Sequence, residues 1–174
     1  MRKTKKITLS AMIVALGTVF LVLGAMVDVL DLSVCALSSL LVAFVYIEIG
    51  SPYTFIVWIA TSLLTFVFFP GSIVWLEYLL VFGIYPIIKA YIEKLPRKVW
   101  LLLKLLFFNA VLVAMIFLVE LILKMPFFGF ENLLIKVGVY VLFNVAFIAY
   151  DIFITVLIRF YFERLRNRFK HLLK

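Results

Sequence analysis

Residues 99–122 read VWLLLKLLFFNAVLVAMIFLVELI, an apolar run in which Lys104 and Glu120 carry the charges. A transmembrane helix needs about 20 predominantly apolar residues, and this run is long enough to form one. Similar runs recur along the chain, and the period-two alternation of a membrane β-barrel is absent. We therefore predict an all-α, polytopic membrane protein, a six-transmembrane-helix bundle with spans at about 7–27, 32–49, 53–69, 72–92, 99–122 and 134–160.

The composition supports this fold class. Of 174 residues, 67% are hydrophobic and 15% are charged, and the mean hydropathy is +1.26. A water-soluble domain could not cover this much apolar surface. The connections between the runs are too short to hold a soluble catalytic module, so we predict one domain over residues 1–174, with residues 162–174 as a basic cytoplasmic tail.

The basic residues predict the orientation. If the amino terminus is cytoplasmic, Lys124 and Lys136 are the only two of the seventeen Lys and Arg residues outside. Such an excess of positive charge on the inner side predicts a cell-membrane protein with both termini in the cytoplasm. The net charge of +8 is then explained by contact with membrane lipid, and we expect no nucleic-acid partner.

Polar residues within the spans are candidate functional groups, because a charge at the bilayer centre costs about 2.5–3.5 kcal/mol on insertion scales. Asn109 and Glu120 are eleven positions apart, which places them within about 20° of one another on a helix. Tyr140, Asn144 and Asp151 share a face of the last span. We expect two polar stripes.

Glu77 and Tyr78 add a third polar contribution in the fourth span, and Asp28 and Asp31 lie in the first external connection. Together with the stripes they predict an external acidic cleft for a small cationic or amine-bearing solute, with aromatic rings such as Trp75 available for cation–π contact. The alternative interpretation is structural. The acidic residues would then be charges at helix ends, the asparagines would make interhelical hydrogen bonds, and the aromatic residues would form the interfacial belt.

Asp151 lies nearer the cytoplasmic side and allows two interpretations. It could serve as a proton relay, or it could form an ion pair with Lys89, Lys104 or Arg159 at a similar depth.

Residue types typical of catalysis are sparse. The chain lacks Gly-x-Ser-x-Gly, His-Glu-x-x-His and a Gly-rich phosphate loop with Lys. Its single histidine, His171, lies in the basic tail, and its single cysteine, Cys35, has no neighbouring Cys or His. We therefore expect a protein that is not an enzyme, without a cofactor and without a metal site.

The first span carries Ala11 and Ala15, and small residues four apart let another helix approach closely. The segment Ser10-Ala-Met-Ile-Val-Ala15 follows a basic amino terminus, and with the six-span topology it resembles the S component, the substrate-capturing membrane subunit of energy-coupling factor (ECF) vitamin transporters. The resemblance implies that this pair docks on a transmembrane coupling protein, and that helices 4 to 6 and the loop after helix 1 form the substrate site.

The resemblance also implies a function. The chain would capture a micronutrient from outside and reorient against the coupling protein, driven by two cytoplasmic ATPase subunits. The alternative is a non-enzymatic membrane scaffold subunit of a cell-envelope assembly, similar to the small polytopic rod-shape proteins.

Overall fold

The computed structural model describes residues 3–27, 29–124 and 132–166. These residues form helices and contain no strand. Six of the helices are long and apolar enough to cross a membrane: α1 (Lys3–Met26), α2 (Asp31–Glu48), α3 (Ser51–Phe68), α4 (Val74–Ile92), α5 (Arg97–Ile122) and α6 (Leu133–Arg164). The all-α, six-transmembrane-helix fold class is confirmed, and each predicted span begins and ends within four residues of the corresponding helix.

Helix α3 begins at a residue pair that suits a sharp turn. Gly50 has φ +104°, a left-handed conformation that costs glycine little. Pro52 follows in the first turn, where its missing N–H is not needed. The hydroxyl of Thr54 donates to the carbonyl of Gly50 at 2.9 Å. These contacts end α2 and start α3 without a long connection.

Helix α4 is irregular and consists of an α-helical turn (Val74–Glu77), a π-helical turn (Tyr78–Phe82) and an α-helix (Tyr85–Ile92). In the π-helical turn the N–H of Gly83 donates to the carbonyl of Tyr78 at 2.7 Å. The indole N–H of Trp58 on α3 donates to the carbonyl of Leu79 at 3.0 Å. A Cβ at position 83 would lie 2.9 Å from that indole nitrogen, so this position requires glycine.

The helices are divided between two compact units. Unit 1 comprises Met1–Ile87 and Ile152–Lys174, and unit 2 comprises Ile88–Asp151. The prediction of one domain over residues 1–174 stays a prediction. Of the predicted tail at 162–174, residues 162–166 continue α6 through a π-helical turn (Tyr161–Leu165), and residues 167–174 lie outside the described residues.

In unit 1, α1, α2 and α3 pack against one another and against the first half of α4. Two glycines allow the close approach of α1: a Cβ at Gly17 would lie 3.2 Å from Thr61 on α3, and one at Gly24 would lie 3.2 Å from Val34 on α2. Helices α1, α2 and α4 together form a buried apolar cluster of Leu21, Cys35, Val42, Val74, Tyr78 and Ile87.

In unit 2, α5 presents one face to the interior. The buried residues recur every three or four positions along it: Lys104, Phe108, Leu112, Met115 and Val119. The ring of Phe108 stacks on that of Phe147 of α6, with centroids 4.3 Å apart. Helix α5 and the first part of α6 are thus joined by aromatic packing as well as by the polar contacts described below.

Candidate functional site

Glu77 is the most unusual side chain of unit 1, because it is acidic and only 8% exposed. It ends the first, α-helical turn of α4. Its Oε2 atom is buried and makes no hydrogen bond to any described residue, and the described residues include no lysine or arginine paired with it. A buried carboxylate without a partner is energetically costly. The position therefore suits a group that brings both a hydrogen-bond donor and a positive charge.

Trp75, two residues earlier, is also buried, and its indole N–H makes no hydrogen bond among the described residues. Its ring packs edge-on against Phe66 of α3, with centroids 4.8 Å apart. The hydroxyl of Ser62, also on α3, donates to the carbonyl of Trp75 at 3.2 Å. Helix α3 thus holds this turn of α4 in place, while Trp75 Nε1 and Glu77 Oε2 have no hydrogen-bond partner among the described residues.

The start of α2 packs against the same turn. The thiol of Cys35 is fully buried and approaches the carbonyl of Val74 at 3.8 Å. Asp31, one turn earlier on α2, accepts a hydrogen bond from the N–H of Leu32 at 2.6 Å and is close enough to Glu77 for their charges to repel. The predicted residues Asp31, Glu77 and Tyr78 therefore belong to one region of unit 1. Asp28 lies outside the described residues.

Tyr78 follows Glu77 and begins the π-helical turn. Its side chain is 1% exposed and belongs to the buried cluster that includes Cys35. Tyr78 therefore packs inside unit 1 and does not present an exposed aromatic ring. Neither the lack of partners at Glu77 nor the π-helical turn can be read from the sequence, although Gly83 and Pro86 mark an irregular helix.

The other predicted site residues belong to unit 2, where Asn109, Tyr140 and Asn144 form a closed hydrogen-bond network between α5 and α6. The amide nitrogen of Asn109 donates to Asn144 Oδ1 at 3.0 Å and to the carbonyl of Leu105 at 2.8 Å. Asn109 Oδ1 accepts from the Tyr140 hydroxyl and from Asn144 Nδ2. These three residues satisfy one another, as the structural interpretation of the two stripes predicts.

Glu120 is not part of that network. It lies in the π-helical turn Val119–Leu123 at the end of α5 and is exposed. Val119, the residue before it, is buried, whereas the side chain of Glu120 points away from the buried face. Of the two residues predicted to form this stripe, Asn109 hydrogen-bonds to polar side chains of α6, and no such contact is found for Glu120 among the described residues.

Four charged residues of unit 2 form an ion-pair network. Lys89 and Lys104 each pair with both Glu93 and Asp151. The Lys89–Glu93 distance is 2.7 Å, and both distances from Lys104 are 2.9 Å. Both lysines are buried. The predicted pairing of Asp151 with Lys89 and Lys104 is confirmed; the participation of Glu93 was missed, although its position one turn after Lys89 is a signal for it.

Glu93 lies just beyond the span of α4, and its titration reflects the network. Burial raises the pKa of Glu93, and the hydrogen bonds and ion pairs with Lys89 and Lys104 lower it by more, so the pKa lies below its ordinary value. The carboxylate is therefore charged at neutral pH, and the two cations and two anions balance.

Ala11 and Ala15, the predicted docking pair, are both exposed on α1. The opposite face of this helix is buried and carries Ser10, Ile13, Gly17, Thr18, Leu21 and Gly24. The small residues of α1 therefore fall into two groups, since Gly17 and Gly24 are used within unit 1 while Ala11 and Ala15 face outward.

A second contact that the sequence did not suggest joins α2 to the end of α6 in unit 1. Glu48 accepts hydrogen bonds from the Tyr161 hydroxyl at 3.0 Å and from Arg166 Nε at 3.2 Å. The ring of Tyr161 also packs edge-on against Phe44. These residues are more than 100 positions apart, so no local pattern could reveal the contact.

Comparison with protein-family models, with curated proteins and with solved structures found no match to this chain. Within the described residues, no group of three or more His, Cys, Asp or Glu side chains is arranged to hold a metal ion.

Proposed function

We propose that this chain is the substrate-capturing membrane subunit of an ECF-type micronutrient uptake transporter, and that it binds a small cationic or amine-bearing solute beside Glu77. The observation that carries the proposal is the buried Oε2 atom of Glu77, which has no hydrogen-bond donor among the described residues. An ammonium group would supply both the donor and the compensating charge.

The surroundings of Glu77 favour such a ligand over an anion. Asp31 adds a second negative charge to this region. Trp75 and Tyr78 flank Glu77 in the chain, and aromatic faces attract cations by about 0.5–2 kcal/mol. The unsatisfied indole N–H of Trp75 is a donor for a carbonyl or hydroxyl of the solute. A solute with an amine and one neutral acceptor would satisfy both side chains.

The exposed pair Ala11 and Ala15 supports the partner side of the proposal. Two small side chains one turn apart leave a shallow strip along which another helix can approach. In the proposed assembly this strip contacts a transmembrane coupling protein that is joined to two cytoplasmic ATPase subunits. The chain itself contributes affinity and selectivity, and ATP hydrolysis by the partners drives its reorientation. The proposal includes residence in the cell membrane with both termini in the cytoplasm, supported by the distribution of Lys and Arg.

Solute binding is tested by the thermal stability of the purified protein in lipid nanodiscs. The probes are ethanolamine, choline and putrescine, compared with neutral and anionic compounds of similar size. We expect at least one amine to stabilise the wild-type protein and the Glu120→Gln control, which removes an exposed carboxylate. We expect Glu77→Gln to abolish that stabilisation. Equal stabilisation of both variants, or stabilisation by anions alone, would refute binding at Glu77.

The partner side is tested by co-purification from native membranes. Ala11→Trp with Ala15→Trp should remove the coupling protein and the ATPase subunits from the purified complex. The matched control is Ala110→Trp with Ala114→Trp, a second exposed alanine pair one turn apart, on α5. Retention of the same partners by both double variants would contradict docking through α1.

The second candidate function is a scaffold subunit of a cell-envelope assembly. The observation that favours it is the closed hydrogen-bond network of Asn109, Tyr140 and Asn144, because polar side chains that satisfy one another hold helices together and leave none of their donors for a solute. A scaffold would co-purify with envelope proteins, and neither Glu77→Gln nor the α1 double variant would change that association.

A further inference from the structure

Unit 1 has a groove of about 250 Å³ between α2 and the last turns of α6. Its lining is apolar apart from one phenol hydroxyl. Helix α2 contributes Leu40, Ala43 and Phe44, and α6 contributes Leu157, Phe160 and Tyr161. Both helices are membrane-spanning candidates, so a groove open on their surface accepts an acyl chain without burying any polar group of the lipid.

One end of this groove is polar, and hydrogen bonds join α2 to the end of α6 there. Tyr161, which lines it, donates its hydroxyl to Glu48. Arg166 donates its Nε to the same carboxylate oxygen, and its guanidinium carbon lies 4.9 Å from the ring centroid of Phe162. This end is therefore held by charge-assisted hydrogen bonds that join α2 to the end of α6.

The same end is basic. Arg164 is exposed, and its guanidinium carbon lies 5.8 Å from the ring centroid of Phe160, one of the residues that line the groove. Arg159 is exposed one position before Phe160. Lys6 of α1 donates to the carbonyl of Ile49, the residue after Glu48, at 3.4 Å. The apolar groove thus ends beside several cations, of which Arg166 is paired with Glu48.

We propose that this groove is a binding site for an anionic phospholipid, with one acyl chain between α2 and α6 and the phosphate on Arg164. The guanidinium offers two parallel N–H donors to a phosphate, and a basic residue near the membrane surface attracts anionic lipid. The apolar lining suits the hydrocarbon of an acyl chain, and the arginine selects the charge of the headgroup. This site is separate from Glu77 and does not depend on the proposed solute.

The test is native mass spectrometry of the delipidated protein, titrated with phosphatidylglycerol or with phosphatidylcholine carrying the same acyl chains. We expect tighter binding of phosphatidylglycerol. Arg164→Gln should weaken phosphatidylglycerol by about fivefold, the value of one basic residue near an anionic surface, with little effect on phosphatidylcholine. The matched control is Arg97→Gln, since Arg97 is also exposed, lies 5.9 Å from the ring of Trp100 and is not one of the residues that line the groove.

A second variant tests the acyl-chain part of the site. Ala43→Phe places a ring in the groove and should weaken both lipids in protein that keeps its thermal stability. Equal effects of Arg164→Gln and Arg97→Gln would show that general charge alone attracts the lipid and would overturn the site. Unchanged lipid binding by folded Ala43→Phe would also overturn the site. A protein dimer that Ala43→Phe abolishes would overturn it as well, because the groove would then bind a second copy of the chain. If Ala43→Phe does not fold, the comparison of the two arginine variants decides the proposal.

Discussion

Replacing Asp151 by Asn removes the carboxylate that α6 contributes to the ion-pair network of unit 2. Lys89 is 2% exposed and Lys104 is 6% exposed, so neither ammonium group can turn to solvent without local opening. Removing one partner of a buried ion pair costs about 3–5 kcal/mol. Both lysines keep Glu93, at 2.7 and 2.9 Å, so we expect the lower end of that range, about 3 kcal/mol.

The measurement is reversible unfolding in mixed micelles of dodecylmaltoside and dodecyl sulfate, followed by tryptophan fluorescence. Trp100 is a useful reporter, because Lys104 Nζ lies 5.7 Å from its ring centroid. The control is Glu163→Gln, which removes an exposed carboxylate from the same helix. A surface substitution of this kind changes the free energy of unfolding by about 0.5 kcal/mol or less.

A double variant separates the ion pairs from a general effect on helix packing. Adding Lys104→Met to Asp151→Asn removes a buried cation together with a buried anion, so the double variant should be more stable than Asp151→Asn by about 1–3 kcal/mol. If Asp151→Asn unfolds like Glu163→Gln, or if the second substitution only adds further loss of stability, the ion-pair network does not stabilise the fold.

Three further predictions concern single residues. Gly83→Ala should lower the free energy of unfolding by about 1–3 kcal/mol and shift the fluorescence emission of Trp58, because the added Cβ overlaps its indole. The control is Gly71→Ala, where a Cβ meets nothing within 4 Å. Equal losses of stability in the two variants would contradict this prediction. Asn109→Leu should cost about 0.6–1.7 kcal/mol through loss of interhelical hydrogen bonds, measured in the same micelles, and an unchanged unfolding curve would show that the network contributes nothing. The lysine partners of Glu93 lower its pKa, so the contribution of Glu93 to stability is fully present at neutral pH. That contribution is lost as the pH falls below about 4.3, the ordinary pKa of a glutamate, and through the lower pKa of the folded state. NMR titration of the side-chain carboxyl carbon checks this prediction, and a titration midpoint at or above the ordinary value would contradict it.

The sequence predicts the long apolar helices well because their signal is local. Each apolar run is bounded by charges, Pro or Gly, and the bilayer sets one length for all of them. The turn at Gly50 and Pro52 is an example, since two adjacent features mark both the end of α2 and the start of α3. The irregularity of α4 is less visible, because the π-helical turn lies where the indole of Trp58, on another helix, donates to the carbonyl of Leu79.

The candidate site was harder to predict, because helical spacing gives the direction of a side chain but not its neighbour. Asn109, Tyr140 and Asn144 were identified as polar groups in apolar spans, and the structure brings these three together. The same spacing argument also selected Glu120, which is exposed. The contact of Glu48 with Arg166 depends on tertiary packing between distant helices, and no sequence pattern contains that information.

The burial of Cys35 makes the natural chain suitable for chemical labelling. This is the single cysteine of the sequence, its side chain is fully enclosed, and its sulfur faces the carbonyl of Val74. A membrane-impermeant maleimide requires an accessible thiolate and so will not modify it in the folded protein. A cysteine introduced at exposed Lys98 or Lys124 therefore becomes the one reactive thiol, and labelling of intact cells can report on which side of the membrane each connection lies without first replacing a native residue.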